Sequence, residues 1–175
     1  MKKLLLVVDF QNDFVDGALG FEDAHKVSQP IYDKLEAYDK EGHDVIFTRD
    51  THDENYLNTQ EGKNLPIIHC VKDTYGWEIY GGAKVFADEK ALKIFDKGAF
   101  GSLELGNFIK DKAYESVEIC GLVSNICVIS TAVIVKSALP EALVIVDAKA
   151  TDSYDKKLHA EALDVMEGFQ VKIIR

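Results

Sequence analysis

The 175 residues have the length of one domain, and no linker or low-complexity tract divides residues 1–175. Hydrophobic residues make up 47% of the chain, which is enough to bury a core without disulfides or a structural metal. The 30 acidic residues outnumber 20 lysines and arginines, and the net charge of −10 disfavours nucleic acid and anionic membrane surfaces as partners. Three cysteines without a Cys-x-x-Cys pair favour the reducing cytoplasm over a disulfide scaffold.

Short apolar runs rich in β-branched residues alternate with longer amphipathic stretches along the chain. The apolar runs predict six strands: Leu4–Val8, Val45–Thr48, Leu92–Phe95, Val117–Cys120, Leu143–Val146 and Val171–Ile174. The amphipathic stretches predict helices over Val27–Tyr38, near Asp88–Ala91, and over Leu103–Lys110, Ile126–Ala138 and Asp155–Glu167. This alternation predicts an α/β fold, a three-layer α/β/α domain around a six-stranded, mostly parallel, Rossmann-like sheet.

Two segments do not follow the alternation simply. Ile119–Val135 carries no charge, but it contains polar residues and is shorter than the roughly 20 apolar residues that span a membrane. We interpret it as a buried strand running into a buried helix, which either packs inside the domain or forms an interface in a homo-oligomer. Thr51–Ala83 is polar and shows little periodicity, and it is too long for a loop without a role. Something is therefore expected to order this second segment.

Polar side chains follow four of the predicted strands. They are Asp9 after the first strand, Asp50 after the second, Lys97 after the third and the segment Gly121–Cys127 after the fourth. Ligands bind beyond the carboxyl ends of parallel strands, so we expect these groups to meet at one edge of the sheet. A single aspartate after a strand is more often a helix cap or a turn former, and only the combination indicates a site.

Cys127 is the candidate nucleophile, since it lies at the start of the predicted helix Ile126–Ala138. A helix N-terminus and an ammonium such as that of Lys97 both lower the pKa of a thiol, and backbone N–H groups in the preceding turn could hold an oxyanion. The alternative is that Cys127 is a buried apolar residue, as free cysteines usually are. Sequence chemistry leaves both open, whereas Cys70 and Cys120 are interpreted as packing residues.

Two histidines and two acids form a second candidate group: Asp50, His52, Glu61 and His69. Imidazoles combined with carboxylates suit a divalent zinc, manganese or iron ion, which would also order the polar segment around them. Alternatively, His52 caps a turn and His69 is a core histidine. The other three histidines are expected on the solvated surface among charged neighbours: His25, His43 and His159.

Five segments, in chain order, resemble the isochorismatase-like cysteine hydrolases and, within that family, the nicotinamidases. They are Asp9–Phe14, Arg49–His52, His69–Val71, Lys97–Gly98 and Gly121–Val128, and the resemblance covers essentially the whole chain. It implies a catalytic triad of Asp9, Lys97 and Cys127. It also implies a cis peptide bond between Val123 and Ser124, with the N–H groups of Ser124 and Cys127 forming an oxyanion hole.

The same resemblance implies ligands for the metal and for the substrate. The metal ligands are Asp50, His52 and His69, joined in some family members by a glutamate at the position of Glu61. The substrate contacts are Phe14 and Phe100, as aromatic walls, and Val123. Ordinary packing remains the alternative for Phe100.

The implied reaction is hydrolysis of a small-molecule amide through a cysteine thioester, with nicotinamide converted to nicotinate and ammonia and NAD salvage as the pathway. Many nicotinamidases carry tryptophan and proline where this chain has Thr51 and Asp53, a departure that leaves the triad unchanged but puts the substrate in question. Hydrolases of carbamoyl or other small amides in the same family are therefore the nearest alternative. The isochorismatase branch lacks a nucleophilic cysteine, so Cys127 disfavours its vinyl-ether hydrolysis.

Two functions of other classes fit parts of the pattern. A phosphoacceptor signalling domain also places acids and a lysine after its strands, but it would give Cys127 and His69 no role. A non-catalytic scaffold of the same fold is expected to lose at least one of Asp9, Lys97 and Cys127, and all three are present. Rapid alkylation of the Cys127 thiol at neutral pH is the proposed discriminator.

Overall fold

A six-stranded sheet, in which every pair of neighbouring strands is parallel, forms the centre of the computed structural model, which describes residues 2–175. The strands are β1 (Lys2–Val8), β2 (Asp44–Asp50), β3 (Lys93–Lys97), β4 (Tyr114–Leu122), β5 (Leu143–Asp152) and β6 (Lys172–Ile174). Their order across the sheet is β3-β2-β1-β4-β5-β6. The predicted α/β fold is confirmed, and the sheet is parallel throughout.

Helices cover the sheet and connect its strands. They are α1 (Asn12–Val15), α2 (Ser28–Lys40), α3 (Gln60–Asn64), α4 (Gly82–Lys90), α5 (Leu103–Ile109), α6 (Ile129–Ala138) and α7 (Lys156–Gly168). Three helices are preceded by a residue whose side-chain oxygen accepts a backbone N–H bond from the first turn. Thr59 accepts from Gly62 of α3, Ser102 from Leu105 of α5, and Asp155 from Leu158 of α7. These caps satisfy donors that the first helical turn leaves unpaired, so they fix where each helix starts.

Both faces of the sheet are buried. On β1, Leu4, Leu6 and Val8 face a core shared with α5, α6 and α7, whereas Leu5 and Val7 face a core shared with α2 and α4. Successive side chains of a strand point to opposite faces, so a strand covered on both sides reads as an unbroken apolar run. This explains why β1 shows no alternation in the sequence.

The strands extend beyond the apolar runs that predicted them. β5 continues for six residues past Val146, through polar positions, because its second half pairs with Gly121 and Leu122 after a register irregularity in β4. The helix predicted near Asp88–Ala91 is the nine-residue α4, which starts earlier. In both cases backbone pairing or packing, rather than an apolar pattern, sets the boundary.

The segment Thr51–Ala83 is ordered by contacts with the residues that follow β1. It contains α3 and two 3₁₀ turns, Tyr56–Asn58 and Tyr75–Trp77. Three consecutive side chains hold it: Gln11 donates to the carbonyls of Asp50 (2.9 Å) and Trp77 (2.8 Å), Asn12 donates to that of Tyr75 (2.7 Å), and Asp13 accepts from the N–H of Cys70 (2.7 Å). Protein contacts therefore fix this segment.

The uncharged segment Ile119–Val135 runs from β4 through a π-helical turn, Ser124–Val128, into α6. Thr131, Ala132 and Val135 of α6 are buried, whereas Val133 is half-exposed. Within residues 2–175, no helix has both the length and the apolar character needed to cross a membrane.

Candidate active site

Four adjacent strands end at the same edge of the sheet and carry the predicted polar groups there. Asp9 directly follows β1, Asp50 ends β2, Lys97 ends β3, and the turn Ser124–Val128 follows β4. Because neighbouring strands are parallel, their carboxyl ends lie together, as the sequence predicted.

Asp9, Lys97 and Cys127 meet at this edge and are almost completely buried. The Lys97 ammonium lies 2.6 Å from a carboxylate oxygen of Asp9 and 3.7 Å from the sulfur of Cys127. It also donates to the Ala99 carbonyl at 3.0 Å and lies 3.8 Å from a carboxylate oxygen of Asp50. One cation therefore contacts both the acid and the thiol.

The backbone around Asp9 is tightly constrained. Asp9 has a positive φ of 46°, and its other carboxylate oxygen accepts a 2.6 Å hydrogen bond from the Thr48 hydroxyl. On the neighbouring strand, Gly121 has φ +112°, and a Cβ there would lie 2.0 Å from the Val8 carbonyl oxygen. Only glycine permits this approach, so the glycine of the predicted motif lets β4 pack against the end of β1.

Within the triad, the single positive charge of Lys97 is balanced when either Asp9 or Cys127, but not both, is protonated. Burial raises the pKa of the Asp9 carboxyl, and Lys97 opposes this rise. Burial alone would lower the pKa of Lys97, but the negative charge on Asp9 raises it, so the ammonium stays charged. A single buried cation stabilises a single buried anion best, so Asp9 and Cys127 compete for one proton.

The expected lowering of the Cys127 pKa is wrong for the protein alone. Burial and the negative charge of Asp9 raise the pKa of this thiol well above its usual value, and they outweigh the opposing effect of Lys97. The sequence places the cation near the thiol but does not reveal that both groups are desolvated. The protonated thiol is therefore the favoured form of Cys127 in the protein alone.

Asp50, His52, Glu61 and His69 come together in the group that we call the ligand cluster. One ligand atom from each of the four lies within 4.8 Å of the others. An Asp50 oxygen lies 3.0 Å from Nε2 of His52 and 3.3 Å from Nε2 of His69, and a Glu61 oxygen lies 3.7 and 3.8 Å from the same two atoms. The turn-cap and core-histidine alternatives do not account for this convergence.

The surroundings of the ligand cluster fit a metal ion. Nδ1 of His69 lies 2.7 Å from the Ile67 carbonyl, which only accepts, so Nδ1 carries the proton and Nε2 faces the cluster. Although burial would raise the pKa of Asp50, hydrogen bonds from His52 and His69 hold it well below its usual value, so Asp50 is ionised. Two imidazole nitrogens and two carboxylates match the donors that a borderline divalent ion prefers.

A cavity of about 400 Å³ opens above these groups. Its lining includes the predicted substrate residues Phe14, Phe100 and Val123, together with Cys127. Phe14 is buried, whereas Phe100 is 46% exposed, so Phe100 lines the cavity without being part of the core. Further lining residues that the sequence did not single out are mostly apolar: Leu19, Leu65, Ile67, Ile126 and Tyr154.

The cis peptide bond lies one residue earlier than predicted, between Leu122 and Val123 rather than between Val123 and Ser124. A non-proline cis bond is imposed by its tertiary surroundings, so sequence cannot fix its position to the residue. Ser124 is fully buried, and its hydroxyl bonds to His159. The N–H groups of Ser124 and Cys127 remain the predicted oxyanion hole.

Sequence reasoning missed two residues at the site, Gln11 and Tyr56, and misplaced one histidine, His159. Gln11 accepts from the Asp50 N–H at 2.7 Å, and the centroid of the Tyr56 ring lies 4.5 Å from that of His52, with the two rings tilted by 52°. His159, expected on the solvated surface, is instead half-buried beside Ser124. Only Gln11 had a sequence signal, since it lies inside the segment Asp9–Phe14.

The chain is similar to known proteins over nearly its whole length. A model of the Isochorismatase domain family matches residues 3–175. The chain is 23% identical over 214 residues to the nicotinamidase of Saccharomyces cerevisiae, covering 98% of this chain and 99% of the yeast protein. It is 27% identical over 192 residues to the nicotinamidase/pyrazinamidase of Mycobacterium tuberculosis, covering 98% of each. The structure of a Pyrococcus horikoshii pyrazinamidase in complex with zinc is similar, with a TM-score of 0.86 and 26% identity, over 100% of this chain and 99% of that one.

Proposed function

The chain belongs to the isochorismatase domain family, and on that premise we propose that it is a metal-assisted cysteine amidohydrolase that converts nicotinamide to nicotinate and ammonia. One observation carries the proposal. The Lys97 ammonium contacts the Asp9 carboxylate at 2.6 Å and the Cys127 sulfur at 3.7 Å, beneath a cavity that the ligand cluster also borders. The two relatives named above, a nicotinamidase and a nicotinamidase/pyrazinamidase, support the substrate class.

In the first half of the reaction, Asp9 takes the proton of the Cys127 thiol, and Lys97 stabilises the anion that forms on sulfur. The thiolate attacks the amide carbonyl, and the N–H groups of Ser124 and Cys127 hold the resulting oxyanion. The protonated Asp9 then gives its proton to the leaving nitrogen, and ammonia departs from a thioester.

In the second half, Asp9 is again a carboxylate and takes a proton from water, which attacks the thioester carbonyl. Collapse of the second tetrahedral intermediate releases nicotinic acid, which loses its proton to solvent to give nicotinate, and Asp9 returns its proton to the Cys127 sulfur. Because Lys97 carries the same charge throughout, the triad and the reacting group hold one cation and one anion at each stage, which limits the cost of burying charge.

The ligand cluster is proposed to hold a zinc, manganese or iron ion through Asp50, His52, Glu61 and His69. When bound, the ion would hold the pyridine nitrogen of the substrate and so position its carbonyl. Tyr56 and the Ile67 carbonyl orient the two imidazoles for this role. The zinc in the Pyrococcus horikoshii pyrazinamidase structure supports the choice of a divalent metal.

The cavity walls favour a ring-bearing amide over a small polar carbamoyl substrate. Phe14 and Phe100 offer aromatic surface to a planar ring, and Leu19 and Ile126 extend the apolar lining. A carbamoyl group alone would leave this surface uncovered. We therefore retain other small amides only as the alternative substrates. We also propose NAD salvage as the pathway and the cytoplasm as the location of the reaction.

Ammonia release from nicotinamide by the purified protein tests the proposal. Wild type should release ammonia, Cys127→Ala should not, and Cys120→Ala should remain active because Cys120 is buried away from the cavity. A chelator should abolish release, and benzamide, which lacks the ring nitrogen, should be a poor substrate.

Other results would contradict one part of the proposal at a time. Release that survives chelation would contradict the role of the metal. Release from a carbamoyl amide but not from nicotinamide would contradict the substrate. No release from any amide, with Cys127 inert, would favour a non-catalytic or phosphoacceptor domain.

A further inference from the structure

A histidine outside the triad and the ligand cluster is tied to the turn that carries the nucleophile. Nδ1 of His159, on α7, lies 2.9 Å from the hydroxyl oxygen of Ser124. Ser124 is fully buried, and it begins the π-helical turn Ser124–Val128 that contains Cys127. This hydrogen bond therefore joins the last helix of the chain to the turn behind the reacting sulfur.

Ser124, His159 and Asp152 superficially resemble a nucleophile with a base and an acid, but the geometry excludes that function. The Ser124 hydroxyl is inaccessible, so no substrate carbonyl could reach it. Asp152 lies 3.9 Å from the same nitrogen of His159 that contacts Ser124, which is beyond hydrogen-bond distance and at the wrong ring atom for a relay. The pair can only hold the turn in place.

The hydrogen bonds at the start of the turn lie at the upper end of the usual distance range, so the contact with His159 adds to what holds the turn. The N–H groups of Ile126 and Val128 both donate to the Val123 carbonyl at 3.2 Å, and π-helical turns are a rare and weakly favoured geometry. Val123 and Cys127 line the cavity on either side of Ser124, so a shift of Ser124 would move both.

We infer that His159 is a positioning residue, which fixes the turn Ser124–Val128 through Ser124 and so holds the Cys127 sulfur and neighbouring N–H groups against the substrate carbonyl. The catalytic consequence rests on the proposed amidohydrolase function. Burial lowers the pKa of His159, against the raising effect of Asp152, so the ring is neutral near pH 7. Its charged neighbours are Asp152 on β5 and Lys156 on its own helix, and Lys156 is held by Asp152.

Substitution of His159 tests the inference. His159→Leu should lower kcat about 10- to 100-fold, because small displacements at a reacting centre cost that much, and should leave KM nearly unchanged. His159→Asn, which places an amide near the position of Nδ1, should recover most of the loss. His43→Leu is the matched control, since the His43 side chain is 14% exposed against 17% for His159 and lies beside Glu41. It should leave kcat unchanged.

A double-mutant cycle and hydrogen exchange separate positioning from general loss of stability. Ser124→Ala should lower kcat about as much as His159→Leu. Combining the two substitutions should lower kcat little further, since each removes the same hydrogen bond between Ser124 and His159. Amide exchange over residues 122–128 should accelerate in His159→Leu while β1 remains protected. Unchanged exchange together with unchanged kcat would overturn the inference. If wild type hydrolyses no amide, the proposed function fails, and the exchange of residues 122–128 still decides whether His159 holds the turn.

Discussion

The triad and the ligand cluster lie at the same edge of the sheet, yet different parts of the chain hold them. Asp9 and Lys97 lie at or next to the ends of strands, and Cys127 lies in the turn that follows β4. In the ligand cluster only Asp50 belongs to a strand, whereas His52, Glu61 and His69 come from the long segment after β2. Asp9 and Lys97 are therefore positioned by the sheet itself, Cys127 by the turn that follows β4, and the ligand cluster by contacts that fix a loop.

This difference shows where each half of the site is sensitive to change. The sheet core around the triad is continuous and buried, but the loop depends on three side chains after β1, above all on Gln11. Asp50 connects the halves, because one of its oxygens lies 3.8 Å from Lys97 and the other contacts both histidines. Changes on either side of Asp50 should separate the two functions, acid–base chemistry and metal binding.

The largest separation is expected from Asp9→Asn. Loss of the general base should lower kcat by up to about 10⁴-fold. The same change removes a negative charge that raises the pKa of the Cys127 thiol, so that pKa should fall and alkylation of Cys127 should begin at lower pH. Iodoacetamide labelling of the Cys127 peptide across a pH series measures this, and Asp16→Asn is the exposed control. An unchanged or higher midpoint would show that Asp9 does not act on the thiol.

Lys97→Met should produce the opposite change in thiol reactivity. Removing the cation withdraws the charge that stabilises the Cys127 thiolate, so the pKa of the thiol should rise and alkylation should need higher pH. We expect kcat to fall about 10³-fold, the cost of losing one preorganised electrostatic contact. Lys40→Met, on the exposed end of α2, is the control. A lower labelling midpoint in Lys97→Met would contradict the charge balance derived above.

His52→Ala should affect the other half of the site alone. Losing a ligand should weaken metal affinity by at least about 100-fold, the upper limit for losing a supporting contact. Added metal should restore part of the activity, and the pH dependence of Cys127 labelling in the metal-free protein should stay close to wild type. Metal titration of wild type, His52→Ala and His25→Ala makes the comparison, since His25 is exposed. Equal affinities in all three would remove His52 from the ligand cluster.

Gln11→Leu should give the smallest effect. It removes hydrogen bonds to the backbone of Asp50 and Trp77 and leaves buried groups unpaired. Metal affinity should fall about tenfold, as for other supporting contacts, while labelling of Cys127 stays unchanged. Gln29→Leu, at an exposed position on α2, controls for the substitution itself. If Gln11→Leu impaired the triad as strongly as the metal site, the loop and the sheet would not be separate supports.

The local sequence pattern was sufficient to predict an element where a single feature, such as an unbroken apolar run, decides the structure. The apolar runs predicted all six strands, because a strand buried on both faces must be apolar throughout. Asp9, Asp50 and Lys97 could be assigned to one edge because parallel strands end together. The boundaries of β5 were missed because Gly121 and Leu122, which are remote in sequence, extend it by backbone pairing.

The sequence by itself determined the α/β fold, the meeting of polar residues at one edge of the sheet and the identity of those residues. Tertiary structure decided the rest: the desolvation that raises the pKa of Cys127, the position of the cis bond at Leu122–Val123, the anchoring of the loop by Gln11, and the contact of His159 with Ser124. The physical reason is that periodicity and motif spacing report on neighbours along the chain. Burial, charge balance and hydrogen bonds depend on residues that only folding brings together.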